Sequence, residues 1–307
     1  MTVFRLGLVG AGRMGQNHLM ALAGSAKVRV VAIADPSPTV RTWAGQRLFG
    51  STEAMLDAGG LDGVLVAAPT GLHLPSIRQI ASAGLPILCE KPCGLMADEA
   101  RAAAACAAAS GMRLQVAYWR RYVPALQSLR ARIAAGELGG VYFVVSAQWD
   151  GAPPAAAFRT GSGGIFVDMG VHEFDQICWL TGQSITRLHT AVPDTSEDPP
   201  ISGDAESAQV LCLLSGGSTA LVSLGRRFPL GDVCRVEVYG TRGFEDCRFL
   251  WPPHADAVFH DALRRQAEAF ADADAGGAGA DDAVAALEVA EQASRALHPL
   301  ASMEPPA

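Results

Sequence analysis

No stretch of this 307-residue chain approaches the roughly 18 consecutive apolar residues that a membrane-crossing helix needs. Nor is there a basic excess. The formal net charge is −7, whereas a nucleic-acid footprint is normally basic, so no nucleic-acid partner is expected. The seven cysteines are odd in number and scattered. The closest pair, Cys89 and Cys93, has no second pair to complete a zinc pattern, and the set reads as reduced, buried thiols of a cytoplasmic protein. No internal repeat is present. Val3–Gly10 reads as a strand from the outset, so no signal peptide is expected. What the chain does have is apolar content, 50% hydrophobic against 18% charged. Its length suffices for two domains of about 100–200 residues each.

The first apolar run, FRLGLV, leads into Gly10-Ala11-Gly12-Arg13-Met14-Gly15 and then a helical pattern with Leu19 and Leu22. A lone GxGxxG means little, but a strand before it and a helix after it give it a mechanism. The first glycine permits a tight turn, the second lets backbone approach a pyrophosphate, and the third lets helix and strand pack closely. The helix N-terminus then offers free N–H groups to the anion. The next strand, VRVVAIA, ends at Asp35, an acid placed to accept from ribose hydroxyls and to repel a 2′-phosphate. This predicts a dinucleotide site with NAD preferred over NADP, with Arg41 nearby as the one feature against that preference.

Strand and helix signals alternate as far as RLQVAYW, which predicts a doubly wound parallel sheet over 1–118. Helices are expected from about Leu74 and over Asp98–Ser110, the latter rich in alanine. Two loops stand where such strands end and ligands bind, Ala68–His73 and Cys89–Gly94. Within the second, Lys91 precedes Pro92 and is held out of the helical region. After Arg121 the pattern changes. A helix from about Pro124 to Ala135 precedes strands near 141–149, 185–192, 207–214, 218–224 and 234–239, with a hairpin signal at Gly216-Gly217. This predicts an α+β domain over 119–307 with a mostly antiparallel sheet. Its strands are apolar on both faces, Val141, Phe143 and Val145 on one and Tyr142 and Val144 on the other. There are too few helices for two faces, so the sheet is expected to lie open to a partner subunit, in a homodimer or homotetramer. Pro193–Asp204 reads as a polar loop, and the last helix, about 281–298, is expected to pack back on the first domain.

Within the apolar stretch Gly163–Leu180, Asp168, His172 and Asp175 recur at intervals of four and three, one face of a helix. A helix salt bridge, a metal site and a catalytic set would all use that spacing. A metal needs three or four well-placed ligands, HEFD is not HExxH, and no further histidine lies near in sequence, so no metal is expected. Beside a dinucleotide half, the catalytic reading is preferred.

GAGRMG with Asp35, PTGLH, EKP and GSGGIFVDMGVHEFDQICWLTG, in that order over roughly residues 3 to 245, resemble the glucose–fructose oxidoreductase/inositol dehydrogenase (Gfo/Idh/MocA) family. YWRRYVPALQSLRARIAAGELG resembles its inositol dehydrogenase branch. The resemblance implies a Rossmann half, an open-faced second domain and NAD(P)-dependent oxidation of a CH–OH group. It implies Lys91, Asp168 and His172 as catalytic residues, with Lys91, Arg120, Asp150, Asp168 and His172 meeting a polyol, cyclitol or sugar. It also implies Gly10, Ala11, Gly12, Arg13, Met14, Asp35, Pro69, Thr70, His73, Glu90 and Lys91 around the cofactor. Two departures are visible. RFPLGD carries no tyrosine where the inositol branch has one, and the stretch after Gly243 is short. The same residues run in reverse would reduce a keto-sugar or cyclic imine. A Rossmann protein that had lost its chemistry would be a non-catalytic dinucleotide regulator.

Overall fold

Four successive buried residues, Leu6 to Val9, end the first strand β1 (Phe4–Val9), the pattern of a strand covered on both faces. The computed structural model describes residues 2–37, 45–193, 204–273 and 276–295. After β1 come α1 (Arg13–Leu22), β2 (Val28–Ala34), β3 (Arg47–Phe49), α2 (Thr52–Asp57), β4 (Gly63–Val66), α3 (His73–Ser82), β5 (Ile87–Cys89), α4 (Ala97–Ala109) and β6 (Leu114–Val116). All six strands are parallel, in the order β3-β2-β1-β4-β5-β6. This is the doubly wound sheet that the strand–helix alternation predicts. The chain reverses direction across the sheet between β1 and β4, where such sheets bind ligands. β3 escapes a reading by pattern, because three residues at a sheet edge carry no periodicity.

The alanines of α4 have a packing reason. Ala97, Ala100, Ala103 and Ala107 fall at intervals of three and four on the buried face. The second domain continues with α5 (Pro124–Ala134), β7 (Val141–Trp149), α6 (Ala156–Gly161), α7 (Val171–Thr181), β8 (Ile185–Ala191), β9 (Ser207–Leu214), β10 (Thr219–Gly225), β11 (Val233–Gly240) and β12 (Phe244–Leu250). These strands form one mixed sheet, β12-β11-β7-β10-β9-β8, antiparallel except for the β7–β10 pair. The edge strand β12 is absent from the sequence reading, because Glu245, Asp246 and Arg248 dilute its apolar pattern. One sheet face carries α7 against β7 and β10 and buries Val144, Val210, Cys212, Val222 and Val236. On the other, Leu211 stays 49% exposed and Phe244 53%. Tyr142 departs from its expected face and is exposed near the start of β7, where its ring meets Tyr239.

Two helices close the described chain, α8 (Ala255–Ala271) and α9 (Ala280–Arg295). The described residues divide into two units, one within 2–122 and Phe259–Val284 and the other within Val123–Val258 and 285–295. α8 supplies Ala267 and Phe270 to the core of the first unit, beside Leu6, Leu8, Ile33, Leu65 and Leu88. Phe270 meets Phe4 edge-on at 5.9 Å, and the Arg113 guanidinium lies 4.6 Å from its ring centre. Burying one such ring stabilises by roughly 1.5–3 kcal/mol. The segment that begins at Phe259, far along the chain, is thereby part of the nucleotide-type unit. Arg41, most of the polar loop (194–203) and the end of the last helix (296–298) lie outside the described residues.

Candidate active site

In the first unit the glycine loop is shaped by close approach. Gly10 has φ +87°, and a Cβ there would meet Ala68 N at 2.6 Å. A Cβ on Gly15 would fall 2.2 Å from Gly10 O, so only glycine lets α1 start this near the strand end. Gly12 is different, since a Cβ on it would meet nothing within 4 Å. It caps α1 and faces open space, with Arg13 exposed and Met14 half-buried in the first turn. Asp35 is tied to this loop. Its Oδ2 accepts from Ala11 N–H at 2.7 Å and its Oδ1 from Ser37 N–H at 2.8 Å. A carboxylate has about four acceptor sites, so two remain for ribose hydroxyls. The glycine approach, the open side of Gly12 and the half-exposed Asp35 fit a bound dinucleotide.

The loops after β4 and β5 meet this one at the carboxyl ends of the parallel strands. Pro69 is exposed, and Thr70 opens a single 3₁₀ turn, Thr70–Leu72. His73, expected at the cofactor, is buried at 1% exposure, with Nδ1 2.8 Å from Pro92 O and Nε2 2.8 Å from Ala68 O. The Nδ1 contact ties this loop to the next and the Nε2 contact closes its own loop, so its part here is to hold loops. Burial pushes its imidazole pKa down, against the two backbone carbonyls, which favour the charged ring. Glu90 is also buried. Its Oε1 lies 2.7 Å from His18 Nε2 and its Oε2 accepts the Lys91 N–H at 3.1 Å. His18 was missed by the sequence reading. Its signal is position, three residues after Gly15 on the buried stripe of α1 with Leu19 and Leu22. Lys91 itself is half-buried on the loop that these two histidines hold.

None of the seven cysteines is in a disulfide, and four of them, Cys89, Cys93, Cys212 and Cys234, are buried. Burial, and then the neighbouring Cys93, push the Cys89 thiol well above its ordinary range, which makes it unreactive. Cys106, Cys178 and Cys247 are half-buried rather than buried. Arg120 and Arg121 sit in a 3₁₀ turn, Trp119–Tyr122. Arg120 is 2% exposed, with its guanidinium 5.8 Å from the Trp119 ring centre. Arg121 instead makes an ion pair with Asp282 at 2.9 Å, a structural use.

In the second unit Asp168 and His172 do not share a regular helix. Phe166–Gly170 is a π turn, and α7 begins only at Val171. Its i→i+5 bonding widens the turn that carries Asp168, a feature that recurs at functional sites. His172 and Asp175 are each 5% exposed. α7 is anchored beneath the sheet by Gln176, which donates to Ser146 Oγ at 2.8 Å, and by Ser146, which donates to Glu173. Asp168 Oδ2 accepts from Arg226 Nη1 at 3.0 Å. Asp150, just past β7, is pushed up from its ordinary range, first by burial and then by the charge of Asp232, with Asp168 adding to the effect. Trp149 points its Nε1 at Ser223 Oγ, 3.1 Å away, and packs on Phe228. Asp150, Asp168 and His172 thus belong to one unit, and Lys91, Arg120 and the cofactor set to the other.

Residues 4–118 match the family model described as an oxidoreductase family, NAD-binding Rossmann fold, and residues 126–244 match the GFO/IDH/MocA C-terminal domain. The rhizopine catabolism protein MocA of Rhizobium meliloti is 52% identical over 304 residues, 97% of this chain and 96% of that one. The inositol 2-dehydrogenase of Rhizobium meliloti strain 1021 is 34% identical over 252 residues, 79% of this chain and 74% of that one. The crystal structure of a myo-inositol dehydrogenase from Corynebacterium glutamicum superposes with a TM-score of 0.87 at 24% identity, covering 99% of this chain and 100% of that one. At that identity the likeness concerns the fold.

Proposed function

The chain belongs to the Gfo/Idh/MocA oxidoreductase family and carries its NAD-binding Rossmann fold, and on that premise we propose that it oxidises a secondary hydroxyl of a cyclitol or a closely related polyol. The observation that carries this reading is the Asp168/His172 pair around the π turn at the head of α7, in a chain whose other half binds NAD. The relative named inositol 2-dehydrogenase supports the substrate class. When bound, NAD accepts the hydride from the carbinol carbon. The chain's own residues have the proton and the geometry to manage. His172 takes the hydroxyl proton on its imidazole, the commonest general base for such a step. Asp168 orients that hydroxyl, the Lys91 ammonium offsets negative charge developing on its oxygen, and Arg120 and Asp150 hold further hydroxyls. Gly10 to Met14, Asp35, Pro69, Thr70 and Glu90 surround the cofactor, and Asp35 disfavours NADP.

The reading extends to assembly and place. Leu211, Leu213, Leu221, Val145, Phe143 and Phe244 share the sheet face opposite α7, a half-exposed apolar surface of the kind a second copy covers. A homodimer or homotetramer through that face follows. No helix among the described residues is long and apolar enough to cross a membrane; the cytoplasmic location in this reading rests on the odd, scattered cysteines. A panel of inositols, aldoses and aminocyclitols with NAD and with NADP, read as absorbance of reduced nicotinamide, tests the activity. Turnover of a cyclitol with NAD is expected, and none of any polyol with either cofactor would overturn the reading. Light scattering tests the assembly, and a monomer at micromolar concentration would refute it.

A further inference from the structure

A fully enclosed arginine is unusual, because a guanidinium carries a charge and five donors that all lose water on burial. Arg226 is such a residue, at 0% exposure directly after β10. Its Nη1 donates to Asp168 at 3.0 Å, and its Nη2 lies 3.3 Å from Asp204 Oδ1. Asp204 is itself 1% exposed and accepts from Arg159 Nε at 2.6 Å through its other oxygen. Arg159, 5% exposed, reaches Glu206 Oε1 at 3.3 Å, and Glu206 Oε2 accepts from Arg227 at 2.8 Å. The Arg226 backbone N–H donates to Glu206 O at 2.8 Å.

We propose that Arg226 is the positioning residue for Asp168, and that the chain Asp204–Arg159–Glu206 behind it fixes where Asp168 presents its carboxylate. The proposal rests on the reading of Asp168 as the group that orients the substrate hydroxyl. The guanidinium is planar and its donors form a rigid fork, so anchoring one arm at Asp204 sets the direction of the other. Asp168 needs such an anchor, because it stands in a π turn rather than in a regular helix. The exposures run the same way. Arg226 and Asp204 are enclosed, while Asp168 keeps 14% of its side chain accessible, so the buried end holds and the accessible end works. Burial alone calls for partners on both arms; what points to positioning is that one of them is the accessible candidate catalytic carboxylate rather than a second enclosed one. Lysine cannot replace this fork, since its ammonium is a point charge on a flexible stem.

The test uses the full chain with NAD and the polyol of the panel that is turned over fastest. Arg226→Lys, Asp204→Asn, Asp168→Asn and the double variant Arg226→Lys/Asp168→Asn are compared by kcat, KM for the polyol, NAD affinity and melting temperature. For folded Arg226→Lys the expected result is a fall in kcat of about 10- to 100-fold with a raised polyol KM, the cost of a misplaced group. NAD affinity should stay within about twofold, and the double variant should be no slower than Asp168→Asn alone, as for residues acting through one contact. Asp204→Asn should show a smaller loss in the same direction. Wild-type kcat and KM in folded Arg226→Lys, or losses that multiply in the double variant, would overturn the proposal. If Arg226→Lys does not fold, Asp204→Asn decides, and unchanged kcat and KM there overturn it. The underlying reading fails separately, if Asp168→Asn turns over like wild type.

Discussion

The two units hold their functional groups by different means. On the Rossmann side the glycine loop is shaped by backbone, since Gly10 and Gly15 permit contacts that no Cβ would survive. The loop of Lys91 is held by His73, set between two main-chain carbonyls, and by the buried His18–Glu90 pair. On the second side the holding is done by charged side chains, Arg226, Asp204 and Arg159 behind Asp168. The difference follows from the task. A pyrophosphate is bound by fixed N–H groups and a helix dipole, which cost nothing to protonate or to move. A group that orients a reacting hydroxyl carries charge of its own, and inside a protein that charge needs a partner.

The comparison can be broken most sharply by removing chemistry while sparing the cradle. His172→Ala should lower turnover by about 10²–10⁴-fold, the range for lost proton transfer, and Lys91→Ala by about 10²–10³-fold, the range for lost charge stabilisation. Equilibrium titration should find NAD affinity near wild type for His172→Ala and modestly changed for Lys91→Ala. A folded His172→Gln with full turnover would make the residue structural. The converse variant, Gly15→Ala, attacks the cradle alone. Its Cβ would lie 2.2 Å from Gly10 O, and crowding of this kind typically costs about 1–3 kcal/mol. Weaker NAD binding and a lower melting temperature are expected, and an unchanged NAD affinity would contradict the close-packing account.

Smaller effects sharpen the contrast. Asp35→Ser should narrow the preference for NAD over NADP by about tenfold, or about 1.4 kcal/mol. Equal use of both cofactors by the wild type would defeat the charge account. The smallest expected effect is on stability against pH, where the two units should tilt in opposite directions. His73 is held below its ordinary pKa, so its contribution is intact above about pH 6.5 and is lost as pH falls through the lowered value. Asp150 is held above its ordinary range, so its contribution is intact at low pH and is lost as pH rises through the raised value. Thermal melts of His73→Gln should therefore lose part of the acid slope. Asp150→Asn should melt higher than wild type at pH 8, with the gain vanishing toward pH 4. Parallel melting curves for wild type and variant would refute either assignment.

Much of this was legible in the residues themselves, where the information is local. GxGxxG between a strand and a helix, an acid at the end of the next strand, EKP at a strand end and a four-residue Asp–His spacing each occupy a short window. Each obeys the geometry of one turn or one element. What tertiary structure alone decided is what distant residues do to one another. The sequence spacing suggests one regular helix face for Asp168 and His172, and the fold puts Asp168 in a π turn and His172 in the α-helix that follows. Arg226 stands 58 residues from Asp168, and no period or motif links the two. Phe270 completes a core begun at Leu6, and His18 meets Glu90 across 72 residues. Local pattern reports backbone periodicity and turn chemistry, whereas the partners of a buried charge are set by which chain segments the packed core brings within about 3 Å.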